Sequence, residues 1–414
     1  MSNQMTLTKK EYFESANIET FVPVKGLRTG TEYMMREYMY AVLIPDRSHP
    51  LSCVSVSNNS FSIDLWTGCA LQCSYCHVQG MVEDMQGEGK MHVKPVKRNS
   101  FTVDEIVDSL IEHPYFISDK SIISIGTSST EPFARGEVCN STFDLMRAFT
   151  KRGLKNPFWI VTKFGIPADK IVDFEEIAQT NKIIISLCWS NAPKEIEPAR
   201  NNRFAHLEKI RHINNISVNW YMRPLVPEWN GTVENVAYMI NFVKENYSGC
   251  IDSIVPGGLR WTEGIEYGLT EARDLEMPQI IKEDNIKSMS DELWESIVEM
   301  CNESFPGVPV FYHSSCALTH ALEVPSITLL QFEKPMDCGR SVCPDSQRSI
   351  CTNCSISEQS VFKVQSKLDE IGIPVNVVSL DEKNLQLETT PSLDTFTPAV
   401  RQTILRVIAD AINN

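Results

Sequence analysis

Long apolar runs are missing from this 414-residue sequence. None approaches the roughly 20 residues that a helix needs to cross a bilayer. The opening stretch MSNQMTLTKKEYFES also lacks the apolar core of a leader, so a cytoplasmic location with no membrane partner is expected. Cations are scarce: 38 Lys and Arg stand against 53 Asp and Glu, a formal net charge of −15. An acidic surface repels phosphate backbones, so a small molecule is expected as partner and nucleic acid is not. Internal repeats, low-complexity tracts and recognisable linkers are absent as well, which excludes repeat arrays.

Cysteine, in contrast, is plentiful. The count of 13 is odd, and the residues are clustered rather than spread. That pattern argues against a disulfide framework and for metal or cluster ligation. The remaining composition, 42% hydrophobic and 22% charged, is that of a globular chain with ample length for a core.

Residues 1–58 read as an N-terminal cap: a helix from Thr8 to Ala16, then irregular chain with Gly26, Gly30 and Pro45. From residue 59 strands and helices alternate. The first strand sets Phe61, Ile63 and Leu65 against Ser62, Asp64 and Trp66. The first strong helix opens at Thr102, with Glu105 completing a capping box and Val103, Ile106, Val107, Leu110 and Ile111 on its apolar face. Further strands are expected at 121–125, 158–162, 182–188, 217–222 and 251–255, and helices at 142–152, 169–178, 203–213, 233–245 and 291–303. A last strand is expected at Val310–Tyr312. This alternation predicts an α/β fold with a parallel sheet and helices outside, either an open barrel or a doubly wound sheet, with its active site at the carboxyl ends of the strands. Residues 313–357 form a cysteine-rich region, and 358–414 a small α/β extension with helices near 359–371 and 398–412 and short strands at 375–379 and 385–388.

The segment Gly68-Cys69-Ala70-Leu71-Gln72-Cys73-Ser74-Tyr75-Cys76-His77 follows the first strand and so lies at the mouth of the sheet. Three thiolates at spacings of four and three residues can wrap one face of a small iron–sulfur cluster. Such clusters usually take four cysteines. The next cysteine here, Cys139, is far along the chain, so one iron would stay open to an outside ligand. An amine and carboxylate could chelate that iron. The competing reading is zinc, but structural zinc wants four closed ligands, and His77 is poorly placed to turn inward beside Cys76.

Cys-x3-Cys-x2-Cys after the first strand, with Tyr75 before the last cysteine, resembles the radical S-adenosylmethionine (radical SAM) superfamily. Several later segments, in their order, resemble the spore photoproduct lyase-like group of that superfamily over about residues 60–260. They are Gly126-Thr127-Ser128-Ser129-Thr130-Glu131-Pro132-Phe133, Thr162-Lys163, Ser186, Glu197-Pro198, Arg203 and Arg223-Pro224-Leu225-Val226-Pro227. The resemblance implies a partial (β/α)6 TIM-type barrel over residues 59–312. It implies a 4Fe–4S cluster on Cys69, Cys73 and Cys76, with SAM on the open iron, and a flavodoxin- or ferredoxin-like electron donor. Tyr75 would pack near the adenine, and the turn with Ser128, Thr130 and Glu131 would face the SAM amine. Lys163 and Ser186 would face its carboxylate or ribose, with Arg203 a second candidate. A solvated strand end is the plain alternative for Lys163, and seating of the next helix for Glu197. The sequence departs from these relatives twice. The superfamily's Gly-Gly-Glu is absent, and Ser128 stands where photoproduct lyases carry a hydrogen-donating cysteine.

A second set, Cys316, Cys338, Cys343, Cys351 and Cys354, lies beyond the barrel. Four of these could close an all-thiolate site. The resemblance favours a second iron–sulfur cluster; zinc and unligated thiols are the alternatives. His313 and Cys316 are candidates for substrate contact. Cys53, Cys139, Cys188, Cys250 and Cys301 read as structural, with Cys139, on a loop, an alternative hydrogen donor. The expected function is hydrogen abstraction by a 5′-deoxyadenosyl radical from a small polar metabolite, a sugar or amino-acid derivative, in a biosynthetic pathway. Nucleic-acid repair of the photoproduct lyase type is the alternative enzyme, and a non-catalytic iron–sulfur scaffold the alternative class.

Overall fold

Six short segments are buried along almost their whole length, which is what a strand covered on both faces requires. They are β5 (Phe61–Ile63), β8 (Ile123–Ile125), β9 (Phe158–Thr162), β10 (Ile183–Cys188), β11 (Ile216–Leu225) and β12 (Ser253–Arg260). All six pair in parallel, each with its neighbour in this order. In the computed structural model they form the centre of a nine-stranded sheet. β3 (Ala41–Val42) and β4 (Val54–Val56) extend one edge antiparallel, and β13 (Lys287–Ser288) extends the other. Strand order never reverses, so the sheet has no switch point and the doubly wound alternative fails. Two-stranded antiparallel pairs are formed by β1 (Phe21–Lys25) with β2 (Glu32–Arg36), β6 (Trp66–Thr67) with β7 (Val96–Lys97), and β14 (Asn376–Asp381) with β15 (Gln386–Thr390). The structure describes residues 21–36, 41–43, 47–56, 60–76, 94–113, 116–127, 130–198, 202–282, 287–326, 342–352, 358–371, 375–381 and 386–392.

Helices α1 (Val103–Ile111), α2 (Glu137–Lys151), α3 (Ile171–Ala178), α4 (Leu207–Ile210) and α5 (Val233–Tyr247) connect the parallel strands. After β12 come α6 (Glu263–Arg273), α7 (Asp291–Ser304), α8 (Ser314–Leu322), α9 (Asp345–Thr352) and α10 (Glu358–Ile371). The capping box on α1 is present: Thr102 accepts from the Glu105 N–H, and the Glu105 carboxylate accepts from the Thr102 N–H at 2.8 Å. Its apolar face is narrower than the sequence suggested. Ile106, Val107 and Leu110 are buried, but Ile111 is exposed.

The two faces of the sheet differ. On one, Phe61, Ile63, Ile123, Ile125, Phe158, Ile160, Ile183, Ile185, Val218 and Trp220 join the helices in one core. The opposite, inner face carries Trp159, Ile184, Cys188, Tyr221 and Val255 under Phe311 and residues Ala317 and Leu318 of α8. Toward β5 and β8 this face turns polar: Ser60 donates to Ser124 at 2.8 Å, and Ser62 and Thr127 hydroxyls lie 2.7 Å apart.

Several expectations need correction. The segment read as an irregular cap supplies β1 to β4, and β4 pairs directly with β5. β5 does not alternate between core and solvent: Ser62 and Asp64 are buried too, because its second face lies under the inner layer. The helix expected at 142–152 starts at Glu137, so Cys139 lies on α2 rather than on a loop. The helix expected at 203–213 is the single turn α4, and Arg203 precedes it. α6 was not anticipated. Val310 makes only isolated bridges, parallel to Ile254 and antiparallel to Val342. The C-terminal helix and hairpin lie within a residue or two of their expected bounds, and Val364, Leu368 and Val375 join the main core. The helices expected at 8–16 and 398–412 fall outside the described residues.

At the amino ends of β8 to β10, two buried asparagines replace missing backbone partners. Asn156 donates to the carbonyls of Ile117 at 3.1 Å and Ser121 at 2.8 Å and accepts from the Asp119 N–H at 3.1 Å. Asn181 donates to Leu154 and Asn156 carbonyls at 2.8 and 2.9 Å. Asn156→Ala strands one buried and two part-buried backbone groups and is expected to cost about 1–3 kcal/mol. Denaturant unfolding measures the loss. A loss below about 0.5 kcal/mol would contradict this account.

Candidate active site

Gly68 opens the cysteine loop in the left-handed region at φ 84°, and Gln72 turns it again at φ 57°. Three contacts seat the loop. Ser74 donates through N–H and hydroxyl to the Ile196 carbonyl, both at 2.9 Å. Arg273 on α6 donates to the Gln72 carbonyl at 2.9 Å. Thr130 donates its hydroxyl to the Gly68 carbonyl. Thr130 reaches there because the turn after β8 pivots on Gly126, at φ +69°, where a Cβ would come within 2.6 Å of the Thr130 carbonyl. Only glycine fits such a position.

Cys73 is buried, and Cys69 and Cys76 are half-buried, in one apolar cluster with Leu71, Tyr75, Ala192, Ile196, Val226 and residues Ile265 and Leu269 of α6. Burial pushes the Cys69 thiol up to about 11 and raises Cys73 as well. Among the described residues this cluster contains no fourth cysteine, and no three His, Cys, Asp or Glu side chains converge as a metal site. Three thiols in one cluster, with no fourth cysteine among its described residues, would suit a cube with one open iron better than a closed tetrahedral zinc.

Beside the thiols lies a charged network centred on Glu197. One carboxylate oxygen accepts from the Tyr75 hydroxyl and from Lys163 Nζ, the latter at 2.6 Å; the other accepts from Arg203. Lys163 Nζ also donates to the Tyr75 hydroxyl and lies 4.5 Å from the ring centre. Arg203 donates in addition to the Lys163 carbonyl. Glu131 receives the Lys163 N–H at 2.8 Å, the Phe133 N–H at 3.3 Å and the Thr162 hydroxyl. Burial pushes the Glu131 carboxyl up. For Glu197 burial acts the same way, but Lys163 and Arg203 outweigh it and hold the carboxyl below its ordinary range. Lys163 is pulled down by burial and raised by Cys73, Tyr75 and Glu197, with a net shift well upward.

Tyr75, Thr130, Glu131, Lys163 and Arg203 thus converge at the carboxyl ends of the strands. Ser186 sits apart on the inner face, where its hydroxyl accepts from Trp159 Nε1 at 2.9 Å. Ser128 lies outside the described residues. Glu197, the hub, was read only as a possible helix seat. Trp229, whose ring centre lies 6.3 Å from that of Tyr75, gave no signal.

Of the second cysteine set, Cys316 and Cys343 pack against the inner-face cluster, and Cys351 accepts from Gln347 Nε2 at 3.3 Å. Cys338 and Cys354 lie outside the described residues. His313 caps the start of α8 without a side-chain cap bond, its ring 4.8 Å from that of Tyr312. Cys139 is buried on α2, and burial pushes its thiol up to about 11, so the sulfur keeps its hydrogen.

Also on the inner face, Lys287 is half-buried on β13. Burial, then the charges of Arg223 and Arg260, push its ammonium down to about 7.

Breaking one member of a buried charge network typically costs about 3–5 kcal/mol. Glu197→Gln leaves Lys163 and Arg203 facing each other and should lower stability by about 3 kcal/mol in denaturant titrations near neutral pH. Because the folded carboxyl titrates below its unfolded value, the contribution is complete above the ordinary carboxylate range. It is lost as pH falls through the depressed one. Wild type and Glu197→Gln should therefore converge in strong acid; a constant gap across that range would refute the assignment.

No protein-family model and no curated protein matches this sequence. Among solved structures, the chain is similar to a variant of spore photoproduct lyase, with a TM-score of 0.44 and 14% identity over 63% of this chain and 78% of that one. Spore photoproduct lyase complexed with dinucleoside spore photoproduct gives a TM-score of 0.42 and 14% identity, over 61% and 76%. HydG, a maturase of the FeFe-hydrogenase, gives 0.34 and 11%, over 63% and 53%.

Proposed function

We propose that this protein is a radical SAM enzyme built on a partial (β/α)6 barrel, with Cys69, Cys73 and Cys76 holding a 4Fe–4S cluster. The observation that carries the reading is the placement of these three thiols, with no fourth among the described neighbours, beside a cationic network at the carboxyl ends of parallel strands. When bound, the cluster and SAM supply an electron, a cleaved carbon–sulfur bond and a 5′-deoxyadenosyl radical.

The protein's own residues bind and orient. Lys163 and Arg203 against Glu197 leave one net positive charge, which suits the SAM carboxylate. Glu131, with Thr130, offers acceptors for the amine. Tyr75, fixed by Glu197, presents an aromatic edge to the adenine. Leu71, Ile196 and Val226 keep water from the thiols. Four of Cys316, Cys338, Cys343, Cys351 and Cys354 are proposed to hold a second cluster, with zinc as the competing occupant. A small polar metabolite is the proposed substrate and a flavodoxin- or ferredoxin-like protein the electron donor; the net charge of −15 supports the first.

Anaerobically reconstituted wild type should bind about eight irons with two 4Fe–4S clusters, or about four with one. Cys69→Ala, Cys73→Ala and Cys76→Ala should each abolish reductant-dependent formation of 5′-deoxyadenosine. Undiminished formation by any one of them sinks the reading. Sub-micromolar, strongly salt-dependent binding of DNA would favour repair over metabolite chemistry.

A further inference from the structure

Two basic side chains on the inner face, Arg223 and Lys287, have no carboxylate partner among the described residues; the Cys316 thiol is the one acidic group whose charge acts on Lys287. Arg223 follows Tyr221 on β11, and its guanidinium lies 4.0 Å from the centre of that ring. The pairing of β11 with β12 slips between Met222 and Leu225, so three steps on β11 match two on β12. A bulge of this kind re-aims side chains. Opposite the bulge are two glycines. At Gly258 a Cβ would lie 2.4 Å from the Ser288 carbonyl, so its absence lets β13 close onto β12. At Gly257 a Cβ would lie 3.5 Å from Lys287 Nζ and 3.7 Å from Arg223 Cβ, so both cations border this bare patch of backbone. Lys287 donates to the Tyr312 carbonyl at 2.8 Å and lies 5.3 Å from that ring.

Among the described residues no carboxylate pairs with Arg223 or Lys287. The contrast with Lys163 and Arg203, both held by Glu197, is direct. Cys188 of β10 feels the charges of both Arg223 and Lys163, so the two patches share one end of the inner face. β9 and β11 are two strand spacings apart, about 10 Å.

We infer that Arg223 and Lys287 form a receptor for an anionic group, a carboxylate or phosphate, on the small-molecule substrate. Arg223 offers a planar fork and Lys287 a point charge, a pairing that holds such oxygens against bare backbone at Gly257. The term substrate rests on the proposed radical SAM activity; the anion site itself does not.

The test is calorimetric titration of the full-length protein, without SAM or reductant, at constant ionic strength. The probes are inorganic phosphate, succinate and a single-stranded oligonucleotide. Phosphate or succinate should bind wild type, and Arg223→Met and Lys287→Met should each weaken binding at least about tenfold, about 1.4 kcal/mol. If Lys287→Met does not fold, Arg223→Met decides alone. Failure of both small anions to bind, or unaltered binding by the folded variants, overturns the proposal. Oligonucleotide binding that the variants abolish, with neither small anion bound, overturns it in favour of a nucleic-acid backbone. Because no SAM cleavage is read, failure here leaves the radical SAM assignment standing, and loss of that assignment leaves the anion site standing.

Discussion

The carboxylate of Glu197 joins three stretches of chain at one point. Tyr75 comes from the cysteine loop, Lys163 from the end of β9, and Arg203 from the turn before α4. Each is a polar group drawn out of water, and each would be costly alone. Held on one carboxylate, they are partnered and fixed in direction. The loop that carries Cys69, Cys73 and Cys76 inherits that order, because Ser74 is docked on Ile196, the residue before the hub. The thiols are placed by an ion network as much as by the apolar residues around them.

The sheet sets where such a network can exist. Parallel strands bring their carboxyl ends to one edge, so the residues just past β5, β8, β9 and β10 become neighbours. Its helix-covered face is apolar throughout and supplies cohesion. Its inner face trades some of that cohesion for hydroxyls, aromatic rings and charge. Along that edge, electrostatics divides the site. Near β9 the cations are compensated; near β11 and β13 no carboxylate among the described residues pairs with them, and two glycines remove side chains from the patch.

The cysteine-rich region follows the same geography. Val342 bridges Val310, which in turn bridges Ile254 of β12. That chain of pairings carries Cys343 to the cluster that also holds Cys316. α10 then returns Val364 and Leu368 to the main core, so the last described segments add to the core as well as to the surface.

The sequence alone determined the parallel alternation, the capping box at Thr102 and the spacing of Cys69, Cys73 and Cys76. Each depends on residues a few positions apart, where helix and strand periods and loop reach act directly. It also named Tyr75, Lys163 and Arg203, through the order of motifs rather than through contact. Only the tertiary structure decided their relation. The Tyr75–Glu197 bond spans 122 residues and the Lys163–Glu197 bond 34, separations that no local pattern encodes. Ser186 shows the converse: its strand was legible, but its facing partner Trp159 was set by the register of β10 on β9. Arg223 and Lys287 meet for a similar reason, since a bulge in one strand and two glycines in the next decide which side chains share a face. Strand register is a cooperative result of the whole sheet, and charges are paired or left open only once it is set.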